Sequence, residues 1–156
     1  MMLTEVAAAL GAAGVRFAVA GGHAVALHGA VRGTVDLDLV VFPDESDYVE
    51  TERALVGLGL RSRLPVDARE VFRFRREYRE NRNLVAWSFV DANDPTRLVD
   101  VILTWDERRL PRKHLSVAGV DVPLLSRAAL IRMKEASGRP QDLEDVAALR
   151  RLGRGR

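Results

Sequence analysis

The stretch "RGTVDLDLVV", residues 32 to 41, sets two aspartates one residue apart inside an apolar run. Asp is disfavoured in strands, yet the flanking Val and Leu mark a segment that goes inside. Side chains alternate with a period of two along a strand, so Asp36 and Asp38 project from one face. At about 5 Å and an effective dielectric of about 20, their charges repel by roughly 3 kcal/mol. A fold that keeps this strand must place something positive beside it.

Composition narrows the candidates for that partner. The chain has 156 residues and no cysteine, which removes thiolate zinc sites, disulfides and cysteine nucleophiles. Three histidines, scattered along the chain, do not form a zinc motif. No apolar stretch approaches the roughly 18 residues of a membrane span. "MMLTEVAAALGAAG" lacks a basic leader region and reads as an amphipathic helix, so a cytoplasmic protein is expected. Net charge is only +2, but its distribution is uneven. Residues 1–60 carry 3 basic and 8 acidic side chains, against 21 and 14 in residues 61–156. An acidic site facing a basic surface suits a metal-bound, polyanionic substrate, although solvated charge with no partner gives the same count. Arginine outnumbers lysine 22 to 2, which draws attention to each remaining lysine.

The patterning predicts one domain over 1–152 with a frayed tail at 153–156. Thr4 caps a first helix running to about Gly11, and "VRFAVAG" (15–21) is an apolar strand broken by Gly21 and Gly22. "HAVALHGA" follows as a short helix. A strand over 34–42 holds the two aspartates and stops at Pro43, and Asp44 or Ser46 caps a helix to about Leu58. Residues 66–82 are ambiguous: "VFRFRR" alternates like a strand, while "REYRENR" reads as loop or helix. "NLVAWSFVD" and "RLVDVILTW", separated by the turn "ANDPT", predict an antiparallel hairpin. A loop containing Pro111 and Pro123 leads to two helices, the first closed by Gly138 and the second opened by Pro140. The expected fold class is α/β (α+β), a mixed sheet flanked by helices with a C-terminal helical pair.

A strand, a Gly-Gly break, a short helix and then an Asp-x-Asp strand form a chemical constellation. Glycines let the backbone approach a phosphate closely, and a helix start offers unpaired N–H groups. The next strand supplies hard oxygen ligands for Mg²⁺, which is the positive partner the aspartates require. A two-metal site needs a third carboxylate. Asp100 is the acid embedded in a later apolar strand, and it also serves as base or orienter of an attacking hydroxyl. Its alternative role is a strand-edge Asp bonded to backbone.

"GGHAVALHGAVRGTVDLDLVV" and "LIRMKEASGRPQDLEDVAAL" resemble the two conserved blocks of the DNA polymerase beta-like nucleotidyltransferase superfamily, in its minimal branch of AbiEii-type toxins of toxin–antitoxin systems. Gly22 stands where many members carry Ser. The resemblance implies the polymerase-beta-like nucleotidyltransferase fold, NTP as co-substrate and a two-metal Mg²⁺ site at Asp36, Asp38 and Asp100. It implies phosphate approach at Gly21 and Gly22, a triphosphate contact at Lys134, and supporting roles for Arg139, Asp142 and Asp145. It also implies a toxin role with an antitoxin partner. Residue by residue, plainer readings stand beside these. Lys134 also favours a helix C-terminus, and Asp142 also favours a helix's first turn. Arg32, with Thr34 beside the strand, either balances the carboxylates or binds a phosphate. His28, and less clearly His23, packs at its helix end or touches the nucleotide. Ala129, Met133 and Ala136 read as a core stripe.

The acceptor is read from "REVFRFRREYRENR" (69–82). Arg69, Arg73, Arg75, Arg76, Arg79 and Arg82 interleave with Phe72, Phe74 and Tyr78, a mix that suits RNA, in particular a tRNA end. The alternatives are a small-molecule acceptor such as an antibiotic, or a non-catalytic nucleotide- or RNA-binding module of the same fold. In the plain reading this stretch is a strand whose arginines form its solvated face.

Overall fold

The computed structural model describes residues 2–30 and 36–154. The N-terminal helix α1 (Met2–Ala12) buries Leu3, Val6, Ala7 and Leu10, the spacing of one helical face. It leads to β1 (Phe17–Ala20), α2 (Gly21–Leu27), β2 (Leu37–Val41) and α3 (Glu45–Gly57). After β3 (Leu60–Ser62) come α4 (Ala68–Arg82) and the hairpin β4 (Ala86–Asp91) and β5 (Leu98–Ile102). A second hairpin, β6 (Arg112–Val117) and β7 (Val120–Leu125), precedes α5 (Arg127–Ser137) and α6 (Pro140–Arg154). The strands form one mixed sheet in the order β3-β4-β5-β2-β1-β7-β6. The expected mixed sheet, flanking helices and C-terminal helical pair are all present.

Alternation divides the sheet into two chemically different faces. Leu37, Leu39, Trp87, Phe89, Val99 and Val101 are fully buried. Tyr48 of α3 stacks on Trp87 at 5.8 Å between ring centroids, and Phe72 of α4 meets Tyr48 edge-on at 5.3 Å. The intervening positions, Asp38, Ser88 and Asp100, belong to the other face, where α5 and α6 supply the opposite wall of a cavity. On the apolar side α1 packs on α3, and α3 on α4. Asp44 caps α3 by accepting from Ser46 N at 3.0 Å. Among the described residues no helix is long and apolar enough to cross a membrane.

Three expectations need correction. Residues 68–82 form one helix, with neither a strand nor a loop. Asp67 caps it by accepting from Glu70 N, and Ala68, Val71, Phe72 and Tyr78 turn inward at helical spacing while Phe74 is 43% exposed. The Phe72–Phe74 alternation therefore misleads, because a helix separates those two side chains by about 200°. The loop expected around Pro111 and Pro123 contains the β6–β7 hairpin. Its two-residue turn, Ala118–Gly119, has positive φ at both positions (49° and 79°), the conformation that matches strand twist. Ala is a poor marker for that turn, and Pro123 argues against a strand, so the sequence hides the hairpin. Finally, β2 is described from Leu37, with Asp36 just before it, while residues 34 and 35 lie outside the described residues.

Trp87 also donates its indole N–H to Ser62 Oγ at 2.9 Å, which ties β4 to edge strand β3. Trp87→Ala is expected to lower the unfolding free energy by about 3–5 kcal/mol, and Trp87→Phe by clearly less. Urea denaturation of the two variants measures this directly.

Candidate active site

Strand register places the chemistry. β2 and β5 run parallel with Asp38 opposite Asp100, β4 sets Ser88 opposite Asp100, and β1 sets Ala20 opposite Asp38. Four neighbouring strands therefore carry the row Ser88–Asp100–Asp38–Ala20. Ser88 Oγ donates to Asp100 Oδ1 and fixes that carboxylate. Asp38 has no hydrogen bond or ion pair among the described residues. Burial raises its pKa to about 6, with the nearby Asp100 and Asp36 charges adding to the rise and Lys134 and Arg139 opposing it.

Gly21, at the start of α2, stands directly over Asp38. A Cβ there would overlap the Asp38 carboxylate, coming within 2.7 Å of its Cγ, and the residue has φ +61°. Both the space and the backbone conformation call for glycine. Gly22 is buried one position on, and His23 follows it with Nε2 buried and without a hydrogen-bond partner. Burial holds the His23 imidazole below its ordinary pKa, against the pull of Asp36. His28 ends α2, its Nε2–H donating to Leu125 O at 2.9 Å, away from the carboxylate row.

The opposite wall comes from the helical pair. Lys134 is 7% exposed, with its ammonium 3.3 Å from Asp142 and 3.0 Å from Asp145. Asp142 also accepts from Arg139 Nε at 2.8 Å and from the Arg139 backbone N–H at 3.2 Å, which closes the first turn of α6. Burial alone would raise the Asp142 pKa, but Arg139 and Lys134 together hold it below the usual carboxylate value. Asp142 thus points inward, and its role goes beyond favouring a helix's first turn. Gly21, Asp38, Lys134, Arg139 and Asp142 line one cavity of about 350 Å³. Asp100 stands beside Asp38 on the adjacent strand β5 and is not among the residues that line this cavity. Arg32 and Thr34 lie outside the described residues.

The cavity has walls that the sequence reading did not anticipate. Val85, Ile102, Thr104, Met133 and Ser137 also line it. Met133 is only partly buried and Ala136 is exposed, so of the expected core stripe only Ala129 is core. Ser88 was legible in principle, because it is the one polar side chain facing away from Trp87 and Phe89 in β4. The α4 arginines divide in two. Arg75 and Arg79 turn back onto Asp106 at 3.0 and 3.4 Å, while Arg76 pairs with Glu80 on the surface.

The donor set tests the metal reading. Asp38 and Asp100 are hard oxygen ligands held side by side, with Asp36 acting on the same site and no cation bonded to Asp38, which fits a divalent cation. Among the described residues no group of three or more His, Asp or Glu is gathered as a ready-made metal cluster. The fit therefore rests on the Asp38–Asp100 pair.

No family model matches the sequence, and no curated protein matches it. Solved structures do match. An antigenic nucleotidyltransferase-like protein from Paracoccidioides brasiliensis superposes with a TM-score of 0.59 at 18% identity, covering 94% of this chain and 72% of that one. The solution structure of the antibiotic-resistance factor ANT(2'')-Ia gives 0.62 at 15% identity, over 95% of this chain and 80% of the other. The crystal structure of ANT(2'')-Ia with adenylyl-2''-tobramycin gives 0.59 at 18%, over 93% and 83%. The chain has the nucleotidyltransferase fold.

Two outcomes follow from the site's electrostatics. The folded-state pKa of Asp38 lies above its unfolded value, so the folded chain binds more protons than the unfolded one between about pH 4 and 6. Its contribution to stability therefore falls as pH rises through that window, by about 2–3 kcal/mol, and is flat above it. Asp38→Asn should remove this slope, so the variant-minus-wild-type stability difference should grow from pH 4 to pH 6.5 in urea titrations. Lys134→Met strands Asp142 and Asp145 without their shared cation and should destabilise the fold by about 3–5 kcal/mol at pH 7. That loss should shrink as the pH is lowered and Asp142, held below its usual pKa by Arg139 and Lys134, takes up a proton.

Proposed function

We propose that this protein is a metal-dependent nucleotidyltransferase that moves a nucleoside monophosphate from an NTP to an acceptor hydroxyl. The observation that carries the reading is the unpaired Asp38 carboxylate. It lies beside Asp100 and under Gly21, and it shares one cavity with Lys134 and Arg139. An acidic floor facing a wall that carries Lys134 and Arg139 suits a cation-bound polyphosphate. A divalent cation held by Asp38 and Asp100, with Asp36 beside them, would neutralise charge on the transferring phosphoryl group.

The chain's own residues do the positioning. Gly21 and Gly22 keep side chains away from the approaching phosphates, and Lys134 and Arg139 face them from the helical pair. Asp142 holds both cations in place, and Arg32 is assigned to a phosphate or to the carboxylates. The acceptor hydroxyl oxygen bonds to the α-phosphorus as the bond from that phosphorus to the bridging oxygen breaks. Pyrophosphate leaves with the electron pair, and the hydroxyl proton passes to Asp100, whose other contact is the Ser88 hydroxyl. Positioning and charge neutralisation supply most of the rate in such transfers.

The proposed acceptor is RNA, in particular a tRNA end, on the strength of the basic C-terminal two-thirds of the chain. The toxin role with an antitoxin partner is supported by the AbiEii-type resemblance of the two motif blocks. A small-molecule hydroxyl is the second reading, favoured by the likeness to ANT(2'')-Ia, which was solved with adenylyl-2''-tobramycin.

Incubation with Mg²⁺, labelled NTPs and either cell RNA or aminoglycosides tests the proposal. Pyrophosphate release and label on one acceptor class are expected from wild type, and neither from Asp38→Asn. Mg²⁺–NTP should raise the melting temperature of wild type and leave that of Asp38→Asn unchanged. Equal responses from both proteins would place the nucleotide elsewhere. Lys134→Arg should impair transfer, because a planar guanidinium does not fit the buried site between Asp142 and Asp145.

A further inference from the structure

A second basic recess lies at the other end of α5. His28, Arg112, Lys113, Ser126, Arg127 and Leu152 line a groove of about 240 Å³ between β6, the N-terminal turn of α5 and the end of α6. Among the described residues its lining includes three cations and no carboxylate. Arg112 is anchored by donating to Phe17 O at 2.7 Å, while Lys113 is exposed. Among the described residues none of the three cations forms an ion pair. On α4, Arg75 and Arg79 are engaged by Asp106 and Arg76 by Glu80, while Arg69, Arg73 and Arg82 form no ion pair among the described residues.

Arg127 is held in a way that keeps its charge available. A Cβ on Gly153 would come within 2.7 Å of the Arg127 guanidinium carbon, so the glycine clears the space in which that planar group lies against α6. On its far side, Arg127 also lines a second recess with Ile131, Arg150 and Gly153. Arg127 thus borders two recesses beside α5 and α6. Arg127 is seven residues before Lys134 on α5, about 10 Å away along the helix axis.

Clustered, uncompensated arginine and lysine donors recognise phosphate, whose oxygens a guanidinium fork can meet bidentately. The groove's volume of about 240 Å³ suits backbone phosphates of a longer chain better than a whole nucleotide, one phosphate to each contacting cation. We propose that this groove binds the phosphodiester backbone of a single-stranded nucleic-acid acceptor, with Lys113 and Arg127 as its two contacting cations. The acceptor would then cross the β6–β7 hairpin and the start of α5, not the α4 helix. The proposal deepens the nucleotidyltransferase reading but is tested without NTP, so it can fail while that reading stands.

The test is fluorescence anisotropy of a labelled 12-nucleotide oligouridylate against the full chain, without NTP, across a range of salt concentrations. Lys113→Glu, at an exposed site, should weaken binding at least tenfold at 0.1 M salt. Lys113→Ala with Arg127→Ala should reduce the salt slope by about 1.4 log units per log unit, or about 0.7 per lost phosphate contact. Mg²⁺–NTP should still raise the melting temperature of Lys113→Glu as it does for wild type, which shows that the cleft is intact. The proposal is overturned if Lys113→Glu binds like wild type, or if Arg69, Arg73 and Arg76 of α4 prove to carry the binding instead. It is also overturned if inorganic phosphate displaces the probe at an equal concentration of phosphate groups, since free phosphate would then be the ligand.

Discussion

The rest of the structure is arranged around the forced neighbourhood of Asp38 and Asp100. Parallel pairing of β2 with β5 sets the two carboxylates opposite one another on adjacent central strands. Neither can withdraw, because the residues on either side, Leu37, Leu39, Val99 and Val101, are locked into the apolar core on the opposite face. Sliding either strand by one residue would relieve the repulsion but would turn that whole apolar set outward. Burial of tens of methyl and methylene groups outweighs one pair of repelling charges, so the register holds and the charge conflict remains.

Charge is handled oppositely on the two walls of the cavity. On the helical wall, Lys134, Arg139, Asp142 and Asp145 close into a network in which every buried charge faces an opposite one. Such a network contributes little net stability compared with apolar packing, but removing one member is expensive. Its effect here is to fix the angle at which α5 and α6 present cations to the sheet. On the sheet wall, Ser88 satisfies Asp100 while Asp38 keeps its carboxylate unbonded, and Gly21 keeps the space above it clear. The unresolved electrostatic demand is thereby confined to one carboxylate in an open cavity. That is the arrangement expected where a ligand completes the site.

The arginines show the limit of reading charge along a sequence. In "REVFRFRREYRENR" they look like a surface, but the helix turns Arg75 and Arg79 onto Asp106, which is 27 residues beyond Arg79 in the chain. Arg112 and Lys113 do not group with Arg127 in sequence, because a hairpin turn and a helix cap separate them. They meet only because β6 pairs with β7 and the chain then enters α5 beside the end of α6.

The local pattern alone determined several features. The Asp38-bearing strand, the Gly-Gly opening of α2, the β4–β5 hairpin and the Gly138–Pro140 break between the last helices each rest on a short-range rule of period, cap or backbone freedom. Those rules act within a few residues, so a single chain displays them. The tertiary structure alone decided that α4 is a helix whose Phe72 packs on Tyr48 of α3, and that "RKHLSVAGVDVPLL" is a hairpin despite Pro123. It also decided that Ser88, Thr104 and Met133 join the site. Those outcomes depend on which strand becomes a neighbour and which face a helix covers. Burial and register between distant segments set both, and no local stretch of sequence carries that information.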